Sequence, residues 1–537
     1  MNKRGLKGSA RITAIREGTA VAWLVAAVLL VLQFGMESFG YLSLGVVVVT
    51  LFGELLAPGS YTALQKLIGG RIRKEQYKNA ESIMRSGFYF SLLAGVLIAG
   101  ILLAMAEIIC VYMVKEPMFF YPFLFLAPSL VFLLLNHCLA GYFAGTGVNF
   151  HIGRGIQLVF FLIFVEIFRA LLIPYGTKVA ALLRSREYTD VYGAMGLALA
   201  FTVSSFLTFL LQGGVYLSVR RQLADLARKD ASRMRESGGT SSKIFTRSMF
   251  SYLPSLALTG IFFPVQYLVW IAGQRGKEGI IHTSGALVME YFLPFMLFLV
   301  LFGLTGLRSV SETPAMVRRE DYNRLNQSIL DVRHSLAITA LPVAVLLCVL
   351  AEPFSRVLFS ETTPALLAMW NVAGILVYVG VLALYQIRVC RESGMMTECN
   401  LVCLAGFVAG IAAFSVLHGE KLLGLLAFPV SMLVCSGVLL LASGFLLHRR
   451  FGLEEEYMRS FLYPLAAAAL TGILVLAADK AIGKMVGDLG ILLIGFIVGL
   501  VVHALLIVLL HNVNQRESRR LPGIYLIRFI GKILGYL

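Results

Sequence analysis

Arg73-Lys74-Glu75-Gln76-Tyr77 recurs 245 residues later as Arg318-Arg319-Glu320-Asp321-Tyr322. Ala106-Glu107 returns as Ala351-Glu352 at the same offset without a gap, and Glu116 and Glu361 keep it too. A short basic motif alone would be a coincidence. Several matches at one spacing, on corresponding parts of two long apolar blocks, mark an internal duplication.

Outward from these motifs the chain is a series of apolar blocks. Of its 537 residues 58% are hydrophobic and only 14% charged, with a mean hydropathy of +0.82. Soluble chains carry roughly 25% charge, so a soluble fold of this size would lack the polar residues to cover itself. A helix needs about 20 apolar residues to cross the hydrocarbon core, and fourteen blocks meet that length, from 19–36 to 489–510. The predicted fold class is an all-α polytopic membrane protein. Six spans separate the repeat copies, and an even number preserves orientation, so the halves are parallel six-helix lobes about a pseudo-two-fold axis along the membrane normal. The expected organisation is an N-terminal lobe at 1–219, a basic Ser/Gly-bearing linker at 220–243, and a C-terminal lobe at 244–450. Two further spans follow at 451–512, then a tail at 513–537.

The net charge of +16 would point to nucleic acid in a soluble chain. Here topology accounts for it. With the N-terminus inside, inner segments hold 35 of the 46 Lys and Arg and outer loops 10, with Arg169 left inside a span. Both termini are therefore expected on the cytoplasmic side of the cytoplasmic membrane, with no nucleic-acid partner. The first apolar run is too long for a signal peptide and reads as the first span. The seven cysteines show no paired framework, and Cys399 and Cys403, at i,i+4, lack companions for a zinc site. No phosphate-binding loop or catalytic triad appears, so neither an enzyme nor a bound cofactor is expected.

An ionisable group at the bilayer centre costs at least about 2.5–3.5 kcal/mol, so each one kept there needs an account. Glu54 lies in mid-span, Glu166 and Arg169 share a face of the fifth span, and Glu290 lies in the eighth. Glu166 with Arg169 reads equally as a self-neutralised pair or as cavity lining. Glu54 and Glu290 have no basic residue one turn away and read as cavity groups. Arg16 and Arg247 open the first spans of the two lobes and Arg388 closes the tenth. Each is an anion-binding candidate, with topological anchoring as the plainer account. Asn136-His137 and Gln386 read as helix cross-links. The tail segment 521–537 spaces Arg528 and Lys532 one turn apart among apolar residues, which predicts an interfacial helix.

Met36-Glu37-Ser38-Phe39-Gly40-Tyr41-Leu42-Ser43-Leu44, Leu64-Gln65-Lys66-Leu67-Ile68 and Gly141-Tyr142-Phe143-Ala144-Gly145-Thr146-Gly147 carry a family resemblance. So do Ser309-Val310-Ser311-Glu312 and Leu350-Ala351-Glu352-Pro353-Phe354. Through them the first 450 residues resemble the polysaccharide exporter and lipid II flippase branch of the multidrug/oligosaccharidyl-lipid/polysaccharide (MOP) superfamily, in particular its stage V sporulation protein B-like group. The resemblance implies a flippase that moves undecaprenyl-pyrophosphate-linked sugars across the membrane by alternating access. It also implies an apolar groove on the last two spans, Na+ or H+ as coupling ion, and a monomer working beside envelope-synthesis enzymes. Gln266 stands where the resemblance would put an acid. Within the superfamily a multidrug or organic-cation antiporter is the alternative, and a non-transporting scaffold of envelope synthesis is a third.

Overall fold

The structure, a computed structural model, describes residues 18–19, 21–23, 25–148, 153–228, 236–274, 277, 279–359, 363–419, 422–454, 458–513 and 524–534. Arg16, Glu361 and parts of the linker and tail lie outside them. Every regular element among the described residues is helical. That follows from the solvent, since only a helix or a closed barrel satisfies its own backbone in hydrocarbon.

Twelve of these helices are long and apolar enough to cross a membrane. Gly238–Gly260 and Phe262–Gly273, bent by 55° at their junction, make thirteen if counted as one span. The block expected at 19–36 is represented by a shorter apolar helix, Val21–Phe34, which stops where Gly35 takes a positive φ of 78°. The count is thus twelve or thirteen against fourteen apolar blocks. The last long helix, Tyr463–Leu509, is two spans joined at Gly487, whose φ of 75° interrupts it.

The repeat is written in the backbone. Glu75 and Glu320 both take the left-handed conformation with φ 57°. Gln76 (φ −91°, ψ 62°) and Asp321 (φ −86°, ψ 67°) precede helices that start at Tyr77 and Tyr322. Lys74, Glu75 and Gln76 donate to the carbonyls of Arg71, Ile72 and Arg71. Arg319, Glu320 and Asp321 donate to those of Met316, Val317 and Met316, so each donor and acceptor is shifted by the same 245 residues. A non-glycine residue with positive φ is uncommon, and the same strained turn at both sites is a structural signature of duplication.

Packing divides the described residues into two compact units, Gly18–Met289 and one that begins at Glu290 and runs to the C-terminus. This boundary lies beyond the 220–243 linker expected from the repeat, because the helix following the linker is tied to the first unit. Glu236 pairs with Arg71, and its backbone N–H donates to Asn79 at 3.0 Å. Ser237 then caps the next helix by accepting from the Thr240 N–H at 3.2 Å.

In the first unit Met36–Ile72 is the hub. A Cβ at Gly141 would lie 2.8 Å from the Tyr61 carbonyl oxygen, and one at Gly145 would lie 2.9 Å from Ile68 Cβ. This is the small-residue spacing that lets two membrane helices close on each other where the hydrophobic effect offers no drive. Gly40 meets Ile281 and Gly285 in the same manner, and Ser43 bonds Tyr267 at 2.7 Å. The family-like stretches near residues 40, 64 and 141 are therefore contact surfaces of one hub helix. In the second unit Tyr322–Val349 plays that part. Gly472, Gly495 and Gly499 of the last two spans close on Val345, Leu350 and Leu346, and Val475 and Ile491 are buried with them.

Candidate functional site

Glu54 lies halfway along the hub helix of the first unit. Its carboxylate is half-buried against Gly260, where a Cβ would come within 2.9 Å of Oε2. Gly260 is the last residue before the 55° bend. Only a residue without a side chain leaves the carboxylate that space.

The cation facing Glu54 is Arg154, from the first turn of helix Gly153–Leu183. Trp23 Nε1 donates to the Arg154 carbonyl at 2.9 Å and stacks its ring on Phe161 at 5.0 Å, which fixes where that helix begins. The Arg154 guanidinium meets His137 Nε2 at 2.9 Å, while His137 Nδ1 lies 2.8 Å from the Leu133 carbonyl. A carbonyl only accepts, so Nδ1 carries the proton. Nε2 then accepts from arginine, and the imidazole in this arrangement is neutral. Asn136 donates to the Ser205 carbonyl at 3.0 Å, and Gln157 donates to Ser205 Oγ at 2.8 Å. Gln212 abuts Gly153. Four helices thus bring one carboxylate, one guanidinium, one imidazole and several amides to a single seam, with Arg154 on its exposed side.

The other expected residues are placed differently. Glu166 and Arg169 pair with each other at 2.9 Å, 52% and 43% exposed, on a helix face that also exposes Ile163, Ile167 and Leu171. Arg247 is exposed on the face opposite buried Phe245 and Met249, and no ion pair of Arg247 is found among the described residues. Glu290, 2% exposed, sits in the π-helical segment Leu287–Phe292 that opens the second unit, and its carbonyl accepts from Trp370 Nε1 at 3.0 Å. Arg388 lines a small cleft with Tyr385, Gly303, Gly306, Val310 and Leu336. Arg16 lies outside the described residues. Of these candidates, the structure brings Glu166 and Arg169 together as a direct pair.

Sequence reading missed three groups. Arg154 is the single Lys or Arg between the fourth and fifth apolar blocks and was assigned to topology, yet it bonds His137 and its charge acts on Glu54. Arg333 and His334, 7% and 6% exposed, lie in the Tyr322–Val349 helix of the second unit. Arg333 acts there on Tyr385, whose hydroxyl bonds Ser309 at 2.8 Å, and Ser309 bonds Ser328 at 2.8 Å. The signal for Arg333 was its place three residues before an apolar run. The cysteines are free thiols, and the described residues contain no group of three or more His, Cys, Asp or Glu able to hold a metal ion.

No protein-family model and no curated relative matches the sequence. Solved structures do match in fold. The lipid II flippase MurJ, in an inward closed conformation, is 14% identical with a TM-score of 0.64, over 93% of this chain and 98% of that one. An inward-facing multidrug resistance MATE family transporter of the MOP superfamily is 16% identical with a TM-score of 0.62, over 82% of this chain and 94% of its own. A MOP superfamily transporter from Pyrococcus furiosus, described as having a binding pocket of reverse polarity, is 16% identical at a TM-score of 0.59, over 83% and 95%. These neighbours are transporters and a flippase, none of them an enzyme. The chain is a multi-pass helical membrane protein with the fold of the MOP superfamily transporters.

Proposed function

We propose that the chain is a flippase that carries a lipid-linked oligosaccharide or polysaccharide precursor of the undecaprenyl-pyrophosphate type across the cytoplasmic membrane, by alternating access between two lobes. The observation that carries this reading is the C-terminal pair of spans. They pack on Tyr322–Val349 through Gly472, Gly495 and Gly499 and leave Ile473, Leu489, Leu493 and Ile497 between 54% and 64% exposed. A surface of that kind suits a polyprenyl chain, which packs on it as lipid tails do and has no polar demand to meet. The likeness to the flippase extends over 93% of the chain, against 82% and 83% for the other two transporters, which supports the same branch.

A diphosphate head group dragged through low dielectric needs cations to offset its desolvation, and guanidinium is suited to phosphate oxygens because it bonds them in a fork. Arg154 supplies one in the first unit. Arg388, with Arg333 nearby on the next helix, supplies the candidates in the second. Arg16, Arg169 and Arg247 remain outer candidates. Glu54 and Glu290 are candidate sites for a coupling H+ or Na+. In a competing reading, an organic-cation antiporter, Glu290 has one feature in its favour: it is a carboxylate almost fully withdrawn from solvent.

Purified protein reconstituted in liposomes with a fluorescent undecaprenyl-diphosphate oligosaccharide decides between them. The flippase reading expects protein-dependent movement of the labelled lipid between leaflets. No movement of that lipid, together with exchange of an organic cation such as ethidium for protons, would overturn it.

A further inference from the structure

His137 and Arg154 have a relation that the flippase reading does not use. The 2.8 Å contact from His137 Nδ1 to the Leu133 carbonyl fixes the tautomer, so Nε2 can accept from Arg154 at 2.9 Å only while the ring is neutral. The guanidinium is thereby hydrogen-bonded to an imidazole lone pair, and its charge acts on Glu54 across the seam. A proton on Nε2 reverses the contact. The acceptor becomes a donor, two cations face each other, and Arg154, already on the exposed side of the seam, is pushed off its partner.

We propose that His137 and Arg154 form a proton-gated oxyanion site, closed when His137 is neutral and open to a phosphate or diphosphate group when it is charged. In the open state His137 Nε2–H and the Arg154 fork both donate to the oxyanion, and charge-assisted bonds of this kind are roughly twice as strong as neutral ones. Gln157 and Asn136, anchored on Ser205, and Gln212 beside Gly153 line the same seam with amides. The proton comes from water and returns to it when the anion leaves, so nothing else is consumed. As it concerns transport, the proposal rests on the flippase reading, and it gives that reading a proton dependence located in the first unit.

Among the described residues, two neighbouring helices bring charged groups towards His137. The hub helix Met36–Ile72 presents Glu54 to the seam, and Gly153–Leu183 presents Arg154. The next residue, Cys138, faces Ser91 of Tyr77–Glu107. Tyr216 and Arg220 of Glu187–Arg228, with Glu81 of Tyr77–Glu107, gather around Tyr142, more than a turn further along the His137 helix. Phe120–Leu126 carries no charged side chain. Imidazole is the side chain that ordinarily changes charge between about pH 5 and 8. Its protonated form prevails on the acid side, so affinity for the oxyanion rises as pH falls.

The test is binding to the purified full-length protein at pH 8.0 and 5.5. One arm uses undecaprenyl diphosphate in detergent micelles and the other inorganic pyrophosphate, so that a lipid head group and a free anion are told apart. In both arms the affinity of wild type relative to His137→Gln is expected to rise about tenfold or more from pH 8.0 to 5.5, the worth of one hydrogen bond to a charged group. His137→Gln keeps a polar side chain without a titrating ring and so carries only the pH dependence of the ligand's own charge. Arg154→Ala is expected to lose binding at both, and Arg154→Lys to recover part of it. Thermal unfolding of each variant in detergent confirms that it is folded. A ratio of wild-type to His137→Gln affinity that is the same at both pH values, or wild-type binding by folded Arg154→Ala, would overturn the proposal. If only the pyrophosphate arm behaves as described, the oxyanion site stands while the lipid-linked substrate falls. If the lipid binds and is flipped without pH dependence, the gate falls and the flippase stands.

Discussion

Glu54 and Glu166 are both carboxylates in the middle of apolar helices of the same unit, yet the structure gives them different surroundings. Glu166 meets its arginine on its own helix, three residues away, 52% exposed on a face of Ile and Leu. The arginine whose charge acts on Glu54 lies across helices, 100 positions along the chain, in a seam that also holds an imidazole and several amides. A local pair can form before the helices assemble and has no effect on how they assemble. A pair made between helices exists only when they are packed, so a change in either partner is felt by the packing. The difference teaches that an intramembrane charge is informative through the helix that answers it.

The comparison breaks most visibly at Arg154. Arg154→Ala removes the His137 bond and the guanidinium offered to the head group, and a hydrogen bond to a charged group is worth about 1.5–3 kcal/mol, so it is expected to slow flipping in liposomes by at least about tenfold at matched protein amount. If flipping proceeds at the wild-type rate, the seam has no role in transport. The next effect is steric. Gly260→Val would drive a side chain into the Glu54 carboxylate at the bend, and overpacking of this kind costs about 1–3 kcal/mol, readable as a lower thermal midpoint in detergent. Gly260→Ala should give a smaller loss of the same sign. An unchanged midpoint for the valine variant would show that Glu54 is not held there.

Glu166 and Arg169 should respond as a closed pair. Glu166→Ala alone leaves an arginine without its carboxylate, whereas Glu166→Ala with Arg169→Ala removes both charges and is expected to restore stability to within about 1 kcal/mol of wild type, as for exposed pairs generally. A double variant less stable than either single one would mean that the pair engages a third group. The smallest effect is expected from Arg247→Ala, which is exposed: flipping within about twofold of wild type, the scale of a surface substitution.

These contrasts also mark where sequence was sufficient. The 245-residue offset was legible because a turn with positive φ needs particular residues in order, and Arg73–Tyr77 and Arg318–Tyr322 supply them twice. Fold class was legible because apolar length is a property of each block alone. The span count was less so, since a bend at Gly260 and a glycine break at Gly35 or Gly487 alter what counts as one helix. Glu54 could be singled out from its position, but Arg154 could not be assigned to it. Nothing in a linear pattern tells a cation that anchors a helix end in the head groups from one that bonds a side chain of another helix. His137 was read as a cross-link, and its tautomer is visible only once both ring nitrogens have partners. Gly141 and Gly145, read as family likeness, prove to be the close contact on the hub helix.

The central claim is that the first unit's seam handles the head group of a lipid-linked diphosphate. Its most direct test is the flipping rate of a fluorescent undecaprenyl-diphosphate oligosaccharide in proteoliposomes, wild type beside Arg154→Ala and Arg169→Ala. The account predicts a rate reduced at least about tenfold by the first substitution and within about twofold of wild type for the second. Equal rates for wild type and Arg154→Ala, or a larger loss from Arg169→Ala than from Arg154→Ala, would contradict it.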